Sequence, residues 1–155
     1  MSTRPQLDAI AWEVLDKTAG RSTPPPGLAA SGRPCNFEEL AELSARWDYE
    51  LAWSEFLHDF FRYKQASFFD VPPPRSFSLQ RRALLAGVFE YLCERYGLPV
   101  PEWVRDSRFT LPEMWDPWED LCPDMEETRP ERIVRTPKAF LKRRVVYEAR
   151  KLITL

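Results

Sequence analysis

The sequence predicts an all-α protein: a small helical bundle of three longer helices plus several short helices started by proline, joined by proline-rich connections. Three observations carry this expectation. Apolar residues recur at helical spacing over three long stretches. No segment alternates with period two, and neither Asn-Gly nor Asp-Gly, the usual hairpin turns, occurs. Fifteen prolines stand against five glycines in 155 residues, so the loops are set by proline and should be stiff and extended.

The first helix is expected from about Pro5 to Ala19. Leu7, Ile10, Ala11, Val14 and Leu15 fall on one stripe. Pro5 suits a first turn, and Gly20 suits the position just past the end. Residues 20–35 are mostly turn formers and read as a flexible linker. Residues 1–35 are therefore expected to be an N-terminal helix with a proline-rich linker, and 36–155 a single helical domain.

Asn36 followed by Glu39 has the spacing of a capping box. The pattern then runs through Leu40, Leu43, Trp47, Leu51, Phe56, Leu57, Phe60 and Phe61 to about Lys64, as one helix or as two with a bend near Arg46. Its aromatic residues spread over more than one face, so it is either central or presents one side to a partner. Phe68, Phe69 and Pro72-Pro73-Pro74 make a second rigid crossover.

Ser76 or Ser78 caps a third helix, roughly 78–96, with Leu85, Val88, Phe89, Leu92, Cys93 and Tyr96 as its core stripe. Gly97-Leu98-Pro99 closes it. Beyond it Pro101, Pro112, Pro130 and Pro137 are each placed to start a short helix, most clearly in Thr136-Pro137-Lys138-Ala139-Phe140. Val145-Val146-Tyr147 is the best candidate for a short extended piece.

The chain has 38 Leu, Ile, Val and Phe residues and a net charge of −2. That is too apolar and too nearly neutral for a disordered chain. The small net charge argues against a dedicated non-specific nucleic-acid binder, while leaving room for a local basic face. Cys35, Cys93 and Cys122 stand in separate contexts, which suits a reducing compartment better than a disulfide framework. The N-terminus has no apolar stretch of the secretory type, and no run approaches a membrane span. A soluble, cytoplasmic protein is expected.

Charge separates in the last third. Glu113, Asp116, Glu119, Asp120, Asp124, Glu126, Glu127 and Glu131 are interrupted only by Arg129. Arg132, Arg135, Lys138, Lys142, Arg143, Arg144, Arg150 and Lys151 follow, against Glu148 alone. Such a pattern can clasp the chain on itself or orient a partner. Trp115, Trp118, Leu121 and Met125 lie among the acids, giving an acidic-aromatic docking surface as one reading and a solvated face as the other. The basic segment 132–151 could contact phosphates. It could equally pair with the acids upstream or sit at helix C-termini.

Catalytic constellations are sparse. His58 is the only histidine and lies in a helical stretch with no serine or cysteine motif to serve, so a helix-rim position is the plain reading. Cys93 belongs to a core stripe, and no Cys-x-x-Cys accompanies it. Asp116, Glu119 and Asp120 fall at helical spacings, but neither Asp-x-Asp nor a calcium loop occurs. Nor do Gly-x-x-x-x-Gly-Lys, Gly-x-Gly-x-x-Gly or Gly-x-Ser-x-Gly. No catalytic residue, cofactor or metal is assigned.

Residues 91–104, Tyr-Leu-Cys-Glu-Arg-Tyr-Gly-Leu-Pro-Val-Pro-Glu-Trp-Val, carry a Gly-Leu-Pro-x-Pro-x-Trp signature. Thr136-Pro137-Lys138-Ala139-Phe140-Leu141-Lys142-Arg143-Arg144 and Tyr147-Glu148-Ala149-Arg150-Lys151-Leu152 follow it. Together, over about residues 83–152, these resemble a family of small uncharacterised bacterial proteins. That family is associated with toxin–antitoxin-like gene pairs whose partner is of the nucleotidyltransferase type. The resemblance implies no catalytic residues, and the aromatic segment 36–64 has no counterpart in it.

The expected function is a non-enzymatic interaction module, antitoxin-like or regulatory, whose partner is another protein, a toxin encoded nearby being one form. Its candidate contacts are Trp103, Trp115, Trp118 and Phe140, with Arg143 and Arg144, residue types that dominate binding hot spots. The alternative is a DNA- or RNA-binding regulator using 132–151. A third reading is an enzyme gathering Asp116, Asp120 or His58 in one cleft.

Overall fold

The computed structural model describes residues 4–21, 23–122 and 128–153. Among them the protein is all-α, as expected, with no strand. Helices α1 (Arg4–Lys17), α2 (Leu28–Ser31), α3 (Phe37–Arg46) and α4 (Tyr49–Tyr63) come first. They are followed by α5 (Leu79–Tyr96), α6 (Pro117–Leu121), α7 (Arg129–Val134) and α8 (Lys138–Leu141). Single 3₁₀ turns occupy Ala66–Phe68, Glu102–Arg105, Ser107–Phe109 and Ala149–Leu152. Among the described residues no helix is long and apolar enough to cross a membrane.

Packing divides the chain into two compact units, one running to Pro74 and taking in Leu152, the other Arg75–Lys151. That line falls at the Pro72-Pro73-Pro74 run and not near residue 35.

In the first unit the long aromatic stretch is two helices. Trp47 is extended, and Asp48 starts α4 by accepting from the Glu50 N–H at 3.2 Å. A local cap thus outcompetes a continuous helix. Helix α4 buries Trp53, Phe56, Leu57, Phe60 and Phe61. Phe56 stacks between Phe37 and Trp53, with both ring centroids 5.6 Å away, and meets Phe68 edge-on at 5.3 Å. Trp47 and Leu51 stay about half exposed. The aromatic residues that the sequence spreads over more than one face thus divide into a core side and a partly solvated side.

Helix α1 forms where expected but is rolled. Leu7, Ile10 and Val14 of the expected core stripe are 54, 54 and 57 % exposed, while Trp12 and Leu15 are buried. Trp12 is the largest apolar side chain on the helix and packs edge-on against Phe61, centroids 6.0 Å apart. Trp12 and Leu15 therefore set the inward side of the helix. Gly20 does not take the left-handed end position. It lies where a Cβ would stand 3.0 Å from the Tyr63 carbonyl oxygen, so a close approach is what it allows.

Residues 27–35, expected to be part of a flexible linker, are tied down. The Glu39 carboxylate accepts from the Leu28 N–H at 2.7 Å and the Cys35 N–H at 3.2 Å. Asn36 caps the Glu39 N–H at 2.9 Å as its spacing predicts. Glu39 itself serves the upstream loop, so only half of the expected capping box forms.

In the second unit α5 is the central helix, with ten buried residues including Leu85, Val88, Phe89, Leu92 and Cys93. Ser78 is the cap, accepting from the Arg81 N–H at 3.1 Å. Gly97 is left-handed (φ 67°), and the Leu98 N–H reaches back to the Cys93 carbonyl at 2.9 Å, the hydrogen bond of a Schellman end. Helix α8 and the turns at 102–105 and 107–109 pack on α5.

The proline expectations hold unevenly. Pro130 is inside the first turn of α7, behind Arg129. Pro101 precedes a 3₁₀ turn, and Pro112 starts no helix. Pro117, unmarked in the sequence, starts α6. Pro137 is itself the cap of α8 (ψ 155°) and not its first residue. Thr136 is occupied upstream, its hydroxyl donating to the Arg132 carbonyl at 2.8 Å. The extended piece at Val145 pairs in parallel with Trp115 as an isolated bridge. The Trp115 N–H donates to the Arg144 carbonyl and the Val146 N–H to the Trp115 carbonyl, each at 2.8 Å.

Candidate interaction surface

The basic block is largely engaged within its own unit. Arg132 is buried and turns its Nε and Nη2 onto Asp116 Oδ2 at 2.7 and 2.5 Å, with Glu119 Oε1 at 3.2 Å. Asp116 also caps α6 through the Trp118 N–H at 3.0 Å. Arg129 forks onto Glu119 at 2.6 and 3.1 Å. That hydrogen bonding holds the Glu119 carboxyl below the usual glutamate range. Two blocks of opposite sign thus close on each other through α6 and α7. Of the acids, Asp124, Glu126 and Glu127 lie outside the described residues, as does Met125.

Further along, Arg135 and Arg150 converge on buried Glu148. Lys142 and Arg143 converge on buried Glu90 of α5. Burial pushes both carboxyls up. The arginine and lysine hydrogen bonds outweigh it and hold both below the usual glutamate range.

These placements correct two of the expected contact residues. Arg143 is buried, donating to Glu90, to the Ala139 carbonyl at 2.6 Å and to the Val104 carbonyl. It joins α5, α8 and the 102–105 turn. Phe140 is fully buried, with Tyr147 at 5.2 Å and Tyr91 at 6.3 Å between ring centroids. Hot-spot composition favours aromatics and arginine, but the same residue types hold cores together, and sequence alone does not separate the two uses.

The other four stay near the surface. Trp103 is half-buried, edge-on to Phe109 at 5.7 Å. Trp115 is half-buried and its indole N–H donates to Asp120 Oδ2 at 2.9 Å. Trp118 is half-buried beneath the Lys151 ammonium, 3.5 Å above the ring centroid, a cation–π contact. Arg144 is exposed. Its Nη1 donates to the carbonyls of Leu111 and Pro112 at 3.2 and 2.6 Å. Its backbone is left-handed, φ 62°.

Beside these are Met114, 38 % exposed and overlooked in the sequence, and Leu121, 59 % exposed. Segment 112–121 with Arg144 therefore presents apolar and aromatic groups on a frame pinned by backbone pairing and buried ion pairs. Helical periodicity could not have revealed Met114, because it lies in a loop.

The first unit holds a polar cluster with no sequence signal. Arg33 donates through Nε to Asp59 at 2.8 Å, meets Glu55 at 2.9 Å, and its Nη2 lies 3.2 Å from His58 Nδ1. His58 is thus half-buried beside a guanidinium. The Cys35 thiol donates to Glu39 at 2.8 Å and is pushed up to about 12, first by burial and then by Glu39. A thiol so held is a poor nucleophile. Asp116 is committed to Arg132, Asp120 to Trp115, and His58 belongs to the other unit. Among the described residues no group of three His, Cys, Asp or Glu is placed to hold a metal ion.

Fold and surface together define an all-α protein with an ion-paired second unit and an aromatic surface segment. Compared with known proteins, the chain matches no family model, no curated protein and no solved structure.

Proposed function

We propose that this chain is a non-enzymatic protein-interaction module that docks another protein on segment 112–121 and Arg144. An antitoxin-like or regulatory partner of a neighbouring gene's product is the form the sequence resemblance suggests. The observation that carries it is the exposure of Met114 and Leu121 beside Trp115 and Trp118 on a rigid frame. Aromatic and methionine side chains are enriched at interface centres. A frame already ordered loses little further entropy on binding.

The nucleic-acid reading is less supported. Arg132 and Arg143 are buried in ion pairs, and Lys142, Arg135 and Arg150 face carboxylates.

The test is co-expression with the product of each adjacent gene, followed by size-exclusion chromatography. A complex that survives the column is expected, and Leu121→Glu with Met114→Glu should break it while leaving the circular dichroism unchanged. No complex with any neighbour, or one indifferent to those substitutions, would remove the proposal.

A further inference from the structure

Arg144 combines three features. Its backbone is left-handed, where glycine or asparagine fits with less strain. Its Nη1 is pinned to two carbonyl oxygens, Leu111 and Pro112. Among the described residues its Nε–Nη2 edge meets no acceptor, and the side chain is exposed.

That edge is the guanidinium fork that matches a carboxylate in two parallel hydrogen bonds. Neighbours in the same unit show its use. Arg129 makes that fork on Glu119, Nε to Oε1 at 3.1 Å and Nη2 to Oε2 at 2.6 Å, while Arg108 and Arg132 turn the same edge onto a single carboxylate oxygen, Oδ2 of Asp106 and of Asp116. Arg144 has the same fork, held in place from behind and left open. Trp115, joined to it through the backbone, and Met114 supply apolar ground alongside.

We infer that Arg144 anchors a carboxylate of the partner: a glutamate or aspartate side chain set among apolar residues. This rests on the interaction surface proposed above and names the chemistry of what it takes. A lysine at this position could still reach a carbonyl or a carboxylate as a point charge, but it would lose the two-pronged geometry.

The experiment follows the arginine Nε–Hε resonances of the full chain by NMR. The probes are sodium acetate, inorganic phosphate, and two capped peptides of alternating leucine with glutamate or with glutamine. The Arg144 resonance should move saturably with acetate, and at tenfold or lower concentration with the glutamate peptide. Arg108, whose fork is occupied, should stay still. Arg144→Lys should keep the melting temperature and weaken the glutamate peptide at least tenfold.

The inference is overturned if Arg144 moves no more than Arg108, if the glutamine peptide binds as well, or if phosphate acts at far lower concentration than acetate. If Arg144 fails these tests while Leu121→Glu with Met114→Glu still breaks a partner complex, the anchor falls and the surface stands. If Arg144 passes and no neighbour binds, the surface proposal falls with its candidate partners.

Discussion

The ring of Phe140 lies against the bare Cα of Gly87: a methyl group there would stand 2.7 Å from Phe140 Cδ1 and 3.2 Å from Cε1. Helix α8 can sit this close to α5 only because residue 87 has no side chain. The contact carries the α8 end of the second unit, including Arg143, onto the central helix.

Gly87→Ala should therefore destabilise the protein although alanine is the better helix former. The propensity gain is about 1 kcal/mol, and overpacking costs roughly 1–3 kcal/mol or more. Chemical denaturation should show a net loss. The same change paired with Phe140→Leu should lose less than the two single losses added together, because the smaller side chain vacates the space. A Gly87→Ala protein as stable as the parent would mean that the two helices are not held at this distance.

The Asp116–Arg132 pair makes a second test. Arg132→Ala strips the buried Asp116 carboxylate of its guanidinium, with an expected loss of about 3–5 kcal/mol, and Asp116→Ala, which leaves Arg132 only Glu119 at 3.2 Å, should also destabilise. The double variant should cost distinctly less than the sum. Denaturant midpoints of the four proteins close the cycle. Additive losses would show that the pair is not coupled.

Stability should fall on the acid side. Glu90 and Glu148 are held below the usual glutamate range by their basic partners. Their contribution is complete above the unfolded value of about 4.3 and is lost as pH drops through the lower folded values. Unfolding free energy should be flat from neutral pH to about 5 and decline below about 4.5 in this linkage. Glu90→Gln should lower the plateau and flatten the acid slope. An unchanged slope would assign the acid loss elsewhere.

Thiol labelling should be slow in the native protein for two of three cysteines. Cys35 and Cys93 are each pushed up to about 12, burial being the first cause in both. At pH 8 the thiolate is scarce at both, so alkylation of the native protein should lag behind that of the denatured chain. Glu39→Gln should speed Cys35 but not Cys93. Native rates at Cys35 and Cys93 equal to those of the denatured chain would contradict the burial described.

Helix α1 offers a contrast within fourteen residues. Leu15→Ala, a buried truncation, should cost roughly 2–5 kcal/mol. Polar substitution of Leu7, Ile10 or Val14 should stay within about 0.5 kcal/mol of the parent. A large loss at Ile10 would mean that this side of the helix, and not that of Trp12 and Leu15, carries the packing.

What the sequence determined by itself was local. A serine cap at 76 or 78, the left-handed close at Gly97, the cap at Asn36, the core place of Cys93 and the extended residues at Val145 were all legible, the structure choosing Ser78. Each depends on hydrogen bonds or spacings a few residues long, and no period-two pattern competed with the helices. Only the tertiary structure decided which side of α1 faces inward, because that depends on Trp12 meeting Phe61, a residue distant along the chain. It also decided the fate of the charge blocks. Arg143 reaches Glu90 across 53 positions and Arg33 reaches Asp59 across 26, separations that leave no periodicity to read. For the same reason the candidate contact set divided: Phe140 and Arg143 went to the core, while Trp103, Trp115, Trp118 and Arg144 remained at the surface. Residue type reports what a side chain can bind, and the packing around it decides whether that capacity is spent within the chain.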